Sequence, residues 1–329
     1  MRTRKIMPLL YRIAAILVLV GGTAAHAAPN EQAETGWPRR QINADGSTTT
    51  IPARPKRILS TSVTITGTLL AIDAPLVASA SSVNGHFFSQ WTALAQKRGV
   101  KKLWTAGSAD LETAYAVAPD LIVVSANGGD SALAQLDELR QIAPTIVLDY
   151  GGQSWQQLAT ALGQATGLET QVADKLADFD AYLAEARAKI AVPAGLANIV
   201  SYNGPGTLNP IATREGVHGS LLGALGFSVE SPQPAWHSDS NPSNDFIRTQ
   251  YENLTQLRAQ TTFLLSADDE RAKTFLHDPI LANLAAVKNG QVYGLGVNSF
   301  RIDYFSAHEI IDGIVARFAK NREPSDGRI

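Results

Sequence analysis

Leu168, Val172, Leu176, Phe179, Leu183, Ala186 and Ile190 recur at steps of three or four, and the residues between them are mostly charged. That spacing predicts one amphipathic α-helix over 168–191 with a single apolar face. Gly167 stands before it and Pro193 after it, and Glu185 and Lys189 form a Glu-before-Lys pair one turn apart. At 1.5 Å per residue the helix would be about 36 Å long. Periodicity alone leaves open whether it bridges two lobes or is one helix of a single domain.

On its N-terminal side the pattern alternates between strand and helix. Gln41–Ile51 reads as a hairpin around Asp45-Gly46, closed by Pro52 and Pro55. Arg57–Ser60 reads as a short buried strand, and the hydroxyl-rich Thr61–Thr64 caps a helix whose body is Gly67–Ile72. Leu121–Ser125 and Thr145–Leu148 are continuous apolar runs, typical of strands covered on both faces. Ala132–Gln141 is helical between them, and Ser154-x-x-Gln157 is a capping box that opens the next helix. The loops after these strands, 61–64, 127–131 and 149–153, are where a parallel sheet gathers ligands.

After Pro193 the alternation starts again. Asn198–Tyr202, Thr262–Leu265 and Gln291–Tyr293 read as strands, and Val217–Leu225 and Ala307–Phe318 as helices. The proline-rich stretch Ser231–Asn244 reads as a long irregular loop. The restart predicts two α/β lobes, each with a mostly parallel sheet, over 35–166 and 193–329, joined by the helix at 168–191.

Residues 1–27 stand outside this scheme. Arg2, Arg4, Lys5 and Arg12 precede an apolar run, Ile13–Gly22, and small residues end in Ala25-His26-Ala27. This is the pattern of a cleaved secretory signal peptide, and the run is too short for a membrane anchor. The absence of cysteine removes both disulfides and lipidation at the cleavage site, so the expectation is a protein free in the periplasm. Without the signal, 24 basic residues face 30 acidic ones, a balance that argues against a nucleic-acid partner.

Catalytic motifs are scarce. The nearest approach to a nucleophile elbow, His218-Gly219-Ser220, lacks the flanking glycines, and no phosphate-binding loop or metal-spaced histidines occur. No catalytic residue, protein-bound metal or cofactor is assigned. Binding is the better prospect: Trp104, Tyr202, Trp236, Phe300, Tyr304 and Phe305 lie at or near predicted loops, with Arg214, Arg248 and Arg301 in the same neighbourhoods of the second half. Arg301, within Asn298–Tyr304, is the sharpest candidate, because a guanidinium beside aromatic rings suits an anionic aromatic ligand. A surface ion pair with Asp303 is the alternative. The glycine-rich loop at Asn127–Ser131 either presents N–H groups to an anion or is a plain turn.

These residues also carry a resemblance. Ser60–Thr64 with Leu69–Pro75, Pro119–Leu121 through Gly128–Ser131, Ile142–Pro144 through Ser154–Gln156, Val287–Tyr293 and Phe300–Tyr304 are similar to motifs of the periplasmic ferric enterobactin-binding proteins of iron ABC importers. The resemblance implies two lobes joined by one long helix, with a ferric catecholate siderophore between them, delivered to an inner-membrane permease by a monomeric, non-enzymatic carrier. It places Arg301 first among ligand contacts and implies permease docking through Glu112 and Glu252; Arg214, Trp104, Tyr202, His86, Asn127 and Arg248 are the further ligand candidates. The segment Ala80–Gln90 offers His86, Phe87 and Phe88 where the family can place an arginine, and the loop before Val217 has Arg214 but no tryptophan. Binding of another iron chelate, haem or cobalamin is the alternative, and a periplasmic hydrolase of the siderophore a more distant one. A single continuous helix between lobes further implies small lobe closure, with the helix itself away from the ligand.

Overall fold

The computed structural model describes residues 36–238 and 244–320. The expected signal peptide, 1–27, lies outside the described residues.

The chain enters through a hairpin, β1 (Arg39–Ile42) and β2 (Thr48–Ile51), turned at Asp45-Gly46 as predicted. Asp45 closes the turn by accepting from the Ser47 amide at 2.9 Å and hydroxyl at 2.6 Å. The lobe that follows runs β3 (Ile58–Ser60), α1 (Val63–Ala71), β4 (Leu76–Ser81), α2 (Ser89–Lys97), β5 (Lys101–Thr105), α3 (Leu111–Ala116), β6 (Leu121–Ser125), α4 (Leu136–Ile142), β7 (Thr145–Leu148) and α5 (Trp155–Thr166). Its five strands are all parallel, in the order β5-β4-β3-β6-β7. From β3 the chain first builds to one side, then crosses to the other at β6, so the switch point lies between the loops after β3 and β6. The sequence reading assigns no element between Asp73 and Ala118, where β4, α2, β5 and α3 stand.

Helix α6 (Glu169–Lys189) occupies the predicted place of the joining helix. Gly167, in the left-handed region at φ 73°, ends α5, and α6 follows at once. Val172, Phe179 and Ala186 are buried, as the apolar face requires.

The second lobe contains β8 (Leu196–Val200), β9 (Asn209–Ala212), α7 (Val217–Ala224), β10 (Ser228–Val229), β11 (Phe246–Thr249), β12 (Thr261–Leu264), α8 (Asp269–Leu276), α9 (Ala285–Lys288), β13 (Val292–Gly294) and α10 (Tyr304–Phe318). Its sheet is mixed and, as expected, mostly parallel. β10, β8, β12 and β13 pair in parallel, but β9 and β11 are added antiparallel. For β9 the reason is local: a short loop, 201–208, returns the chain beside β8, and so short a link allows only an antiparallel neighbour.

One hydrophobic core is continuous through both lobes, from Leu69 and Trp155 through Phe179 to Ile199, Phe263 and Ile310. Helix α10 helps to make it so, because it packs on α6 and also on α1 and α2 of the first lobe. Tyr304 meets Trp155 at 5.5 Å and Phe179 at 6.2 Å between ring centres, and Tyr182 of α6 stacks on His308 at 4.5 Å. Polar contacts continue the junction: Gln90 donates to Asp303 at 3.2 Å and Ser89 to Asn298 at 2.7 Å.

Candidate functional site

The loops at the switch point are tied to each other. Ser62 caps α1, and its hydroxyl donates to Asp130 Oδ2 at 2.6 Å, which also accepts from the Thr64 amide at 3.0 Å. Asp130 Oδ1 accepts the Tyr150 hydroxyl at 2.8 Å. Tyr150 follows β7, so three loops from neighbouring parallel strands converge on one buried carboxylate. The charge also complements the N-terminal end of α1. Gly128, at φ 86°, is required here, since a Cβ would overlap the Tyr150 hydroxyl. Burial, then the Asp130 charge, pushes the Tyr150 phenol up to about 12, with Arg301 opposing, so it stays protonated.

From the second lobe, Arg301 reaches this loop cluster. Its guanidinium lies 5.4 Å from the Tyr150 ring centre and 5.3 Å from that of Phe300. Phe300 in turn stacks on Phe246 at 5.8 Å, nearly parallel. The alternative of an Arg301–Asp303 pair is not what forms. Asp303 is buried, caps α10 through the Phe305 and Ser306 amides at 2.9 Å each, and takes Gln90 from α2.

Two confluent cavities lie between the lobes here. The smaller, about 60 Å³, is walled by Thr64, Tyr150, His218, Asp245, Phe300 and Arg301. The larger, about 890 Å³, is walled by Gln153, Trp155, Phe179, Leu183, Glu215 and Asp245 among others. The second volume matches a small-molecule site. Phe179 and Leu183 belong to α6, so the joining helix forms part of the cleft wall instead of standing away from it. Asp245 is pushed above the usual carboxylate range by burial, against the pull of the Val217 amide and Arg301. His218 Nε2 donates to the Ser299 carbonyl at 2.7 Å, and burial, aided by Arg301, drops its pKa to about 4.

Of the residues singled out in the sequence, Arg301 borders the cleft directly. Asn127 lies beside it, with its side-chain amide donating to Asp149 and its Oδ1 buried without a partner. His86 is exposed in the loop after β4, whose turn is closed on its carbonyl by Ser82. Trp104 does not face a ligand: at 7 % exposure it belongs to the core behind the first sheet, beside Leu59 and Ile122. Tyr202 is taken up inside the second lobe. Its hydroxyl donates to Asp278 at 2.6 Å and its ring meets Phe275 at 5.1 Å, and burial pushes the phenol up. Arg214 turns its Nε to the Val229 carbonyl at 2.8 Å and lines neither cavity. Arg248 sits on β11, its amide donating to His237 Nδ1 at 3.3 Å, and it too lines neither. Tyr304 and Phe305 are core partners, not rim residues.

Thr64, Asp130 and Tyr150 stand in the loops expected to gather ligands but are not singled out by the sequence, and Trp155 and Asp245 are missed altogether. Asp130 and Tyr150 have a usable signal, since each stands in the loop that follows one of two adjacent apolar strands.

Glu112 and Glu252 are both exposed, and each is the second residue of a helical turn, α3 and the 3₁₀ segment Tyr251–Gln256. No group of three or more histidines, cysteines or acids is placed to hold a metal ion among the described residues, and no described helix is long and apolar enough to cross a membrane.

A family model described as periplasmic binding protein matches residues 58–298. The ferric enterobactin-binding periplasmic protein FepB of Escherichia coli O6:H1 is 39 % identical over 321 residues, 94 % of this chain and 98 % of that one. The solved structure of holo-ViuP superposes with a TM-score of 0.84 at 55 % identity, covering 86 % of this chain and 96 % of that one. The catecholate-siderophore binding protein VctP of Vibrio cholerae shares the fold at 21 % identity, with a TM-score of 0.59 over 84 % of this chain and 99 % of that one. The two lobes, the joining helix and these matches agree: the chain belongs to the periplasmic binding protein family.

Proposed function

We propose that this protein is the periplasmic receptor of an iron-siderophore ABC importer, and that it captures a ferric catecholate of the enterobactin kind between its lobes. The observation that carries the reading is the pairing of Arg301 with aromatic rings at an interlobe cleft, in a chain 39 % identical to FepB over 94 % of its length. A ferric tris-catecholate presents negative charge and flat rings. Arg301 supplies the charge, and Tyr150, Phe300 and Trp155 supply surfaces for the rings. The siderophore holds the iron, so the protein needs no metal ligands of its own. The carrier is exported by a cleaved signal, carries no lipid, acts as a monomer and performs no chemistry on its load. Glu112 and Glu252 dock it to the permease. The variant Glu112→Ala with Glu252→Ala is expected to impair uptake and leave binding intact, and normal uptake refutes the docking role.

Titration with ferric enterobactin, read by quenching of tryptophan fluorescence, tests the reading. Arg301→Ala is expected to weaken binding by about tenfold or more, the value of a lost desolvated cation–ring contact. An unchanged dissociation constant removes Arg301 from the site. A response to hydroxamate, haem or cobalamin without one to catecholates refutes the ligand class.

A second reading has a specific observation behind it. Asp245 lines the smaller cavity with Arg301 and also the larger one, where Glu215 joins it, whereas Arg214 and Arg248 line neither. That balance favours an iron chelate of smaller negative charge, and the same titration with a graded set of chelates decides between them.

A further inference from the structure

Asp130 is a buried carboxylate with no part in the ligand contacts proposed above. It accepts hydrogen bonds from two chain segments that meet at the switch point: the Ser62 hydroxyl and Thr64 amide of one, and the Tyr150 hydroxyl of the other. The first two lie at the N-terminal end of α1, a position that ordinarily attracts an anionic ligand. Asp130 already occupies it, so α1 offers an anionic ligand no open terminus, and a cation across the cleft can take that part. The cation that does lie across the cleft is Arg301, and on the first lobe it rests over the ring of Tyr150. The Tyr150 hydroxyl is in turn fixed to Asp130, an arrangement that needs the bare backbone of Gly128.

We propose that Asp130 is a positioning residue: it pins Tyr150 so that the ring forms a fixed seat for Arg301, and thereby aims the guanidinium into the cleft before the ligand arrives. The unit spans both lobes, with Asp130 and Tyr150 on the first and Arg301 on the second. A planar guanidinium that must otherwise be ordered on binding is held ready, which removes part of the entropic cost. The phenol stays protonated and hydrogen-bonded, so Tyr150 serves as a surface and not as an iron ligand. This inference rests on the proposed ligand reading only for the choice of chelate; the seat itself exists in the free protein.

The test therefore has a ligand-free arm and a ligand arm. In the free protein, ¹⁵N-arginine spectra should show the Arg301 Nε–H signal displaced by the Tyr150 ring current. Asp130→Asn and Tyr150→Phe should both move that signal toward the position it takes in Tyr150→Leu. An Arg301 signal unmoved by Asp130→Asn and by Tyr150→Phe overturns the proposal, whatever the protein binds. With ferric enterobactin, Asp130→Asn should weaken binding about tenfold in the wild-type background and less than about twofold in an Arg301→Ala background, the signature of two residues acting as one unit. Equal losses in both backgrounds would mean a merely structural carboxylate and would overturn it. Thermal melting of each variant screens for misfolding, and Tyr150→Phe, which keeps the ring and cuts only the tether, stands in if Asp130→Asn does not fold. If wild-type protein ignores ferric enterobactin while the ligand-free shifts appear, the ligand reading fails and the seat stands.

Discussion

Two helices hold the lobes of this protein together, and they do so by different means. Helix α6 is the covalent link: the chain passes once through it, and its apolar face of Val172, Phe179 and Ala186 is legible from spacing alone. Helix α10 belongs to the second lobe by sequence, yet packs on α6, α1 and α2. Its entry is gripped from both sides. On the second lobe, His218 of α7 donates to the Ser299 carbonyl at 2.7 Å. On the first, Gln90 of α2 donates to the buried Asp303. The difference teaches that lobe spacing is set by a strut and a clamp together, so closure on a ligand is constrained at two places instead of one.

The two supports share a single ring, and removing it is the severest way to break the comparison. Phe179 of α6, 1 % exposed, meets Trp155 of α5 at 5.0 Å and Tyr304 of α10 at 6.2 Å. Phe179→Ala is expected to cost about 4 kcal/mol, the usual penalty of a large core truncation with its residual cavity. Urea denaturation measures it, and a loss under about 1.5 kcal/mol would show that strut and clamp do not depend on this contact.

Acid should open the clamp before it touches the strut. An unfolded imidazole takes its proton near pH 6.5, whereas His218 in the fold holds out to about 4. Between those values the unfolded chain binds the extra proton, so stability falls as pH drops through the window and is fully present above it. The full effect is about 3 kcal/mol. Asp245 and Asp303, both pushed up by burial, contribute with the opposite sign, which makes a difference measurement necessary. His218→Gln keeps a donor for the Ser299 carbonyl and removes the titration. The wild type should therefore lose stability between pH 6.5 and 4 relative to this variant, and parallel curves would contradict the assignment.

What was legible in the sequence divides along the same line. Helix α6, the hairpin at Asp45-Gly46 and the capping box at Ser154 rest on contacts within one segment, and each was readable. Helix α10 begins at Tyr304, three residues before the expected Ala307; the place of Tyr304 against Trp155 and Phe179 comes from two helices 125 or more positions earlier. Trp104 failed for a related reason. A lone aromatic at a strand end gives no sign of which face it takes, and here it is the inner one. At the cleft, Arg301 was readable as a cation among rings, but its seat on Tyr150 depends on the adjacency of β6 and β7, which only the sheet order reveals.

A matched pair of glycines sharpens the comparison further. Gly67 lies within α1, where alanine would favour the helix by about 1 kcal/mol if nothing stood nearby. A Cβ there would run into the Asp303 carboxylate and lie 3.0 Å from Trp91 Nε1. Asp303 cannot withdraw, since the Phe305 and Ser306 amides and Gln90 hold it. Gly67→Ala is therefore expected to destabilise by about 2 kcal/mol, an overpacking cost that outweighs the helix propensity. A neutral or stabilising outcome in thermal melting would mean that α10 is not clamped on α1.

Gly163 of α5 is the counterpart at the strut. A Cβ there would stand 2.7 Å from Val172 Cγ2 of α6 and 3.5 Å from the Leu168 carbonyl. The close neighbour is one methyl group of a side chain, and a small shift of α6 along α5 relieves it without breaking a hydrogen bond. The same propensity gain of about 1 kcal/mol then offsets most of the strain, so Gly163→Ala should change stability by less than about 1 kcal/mol in either direction. Both substitutions add one methyl to a helix facing another helix, and they differ in whether that neighbour is a soft apolar group or a fixed buried charge. If Gly163→Ala proves as costly as Gly67→Ala, the strut is as rigidly seated as the clamp, and the distinction between them is one of connectivity alone.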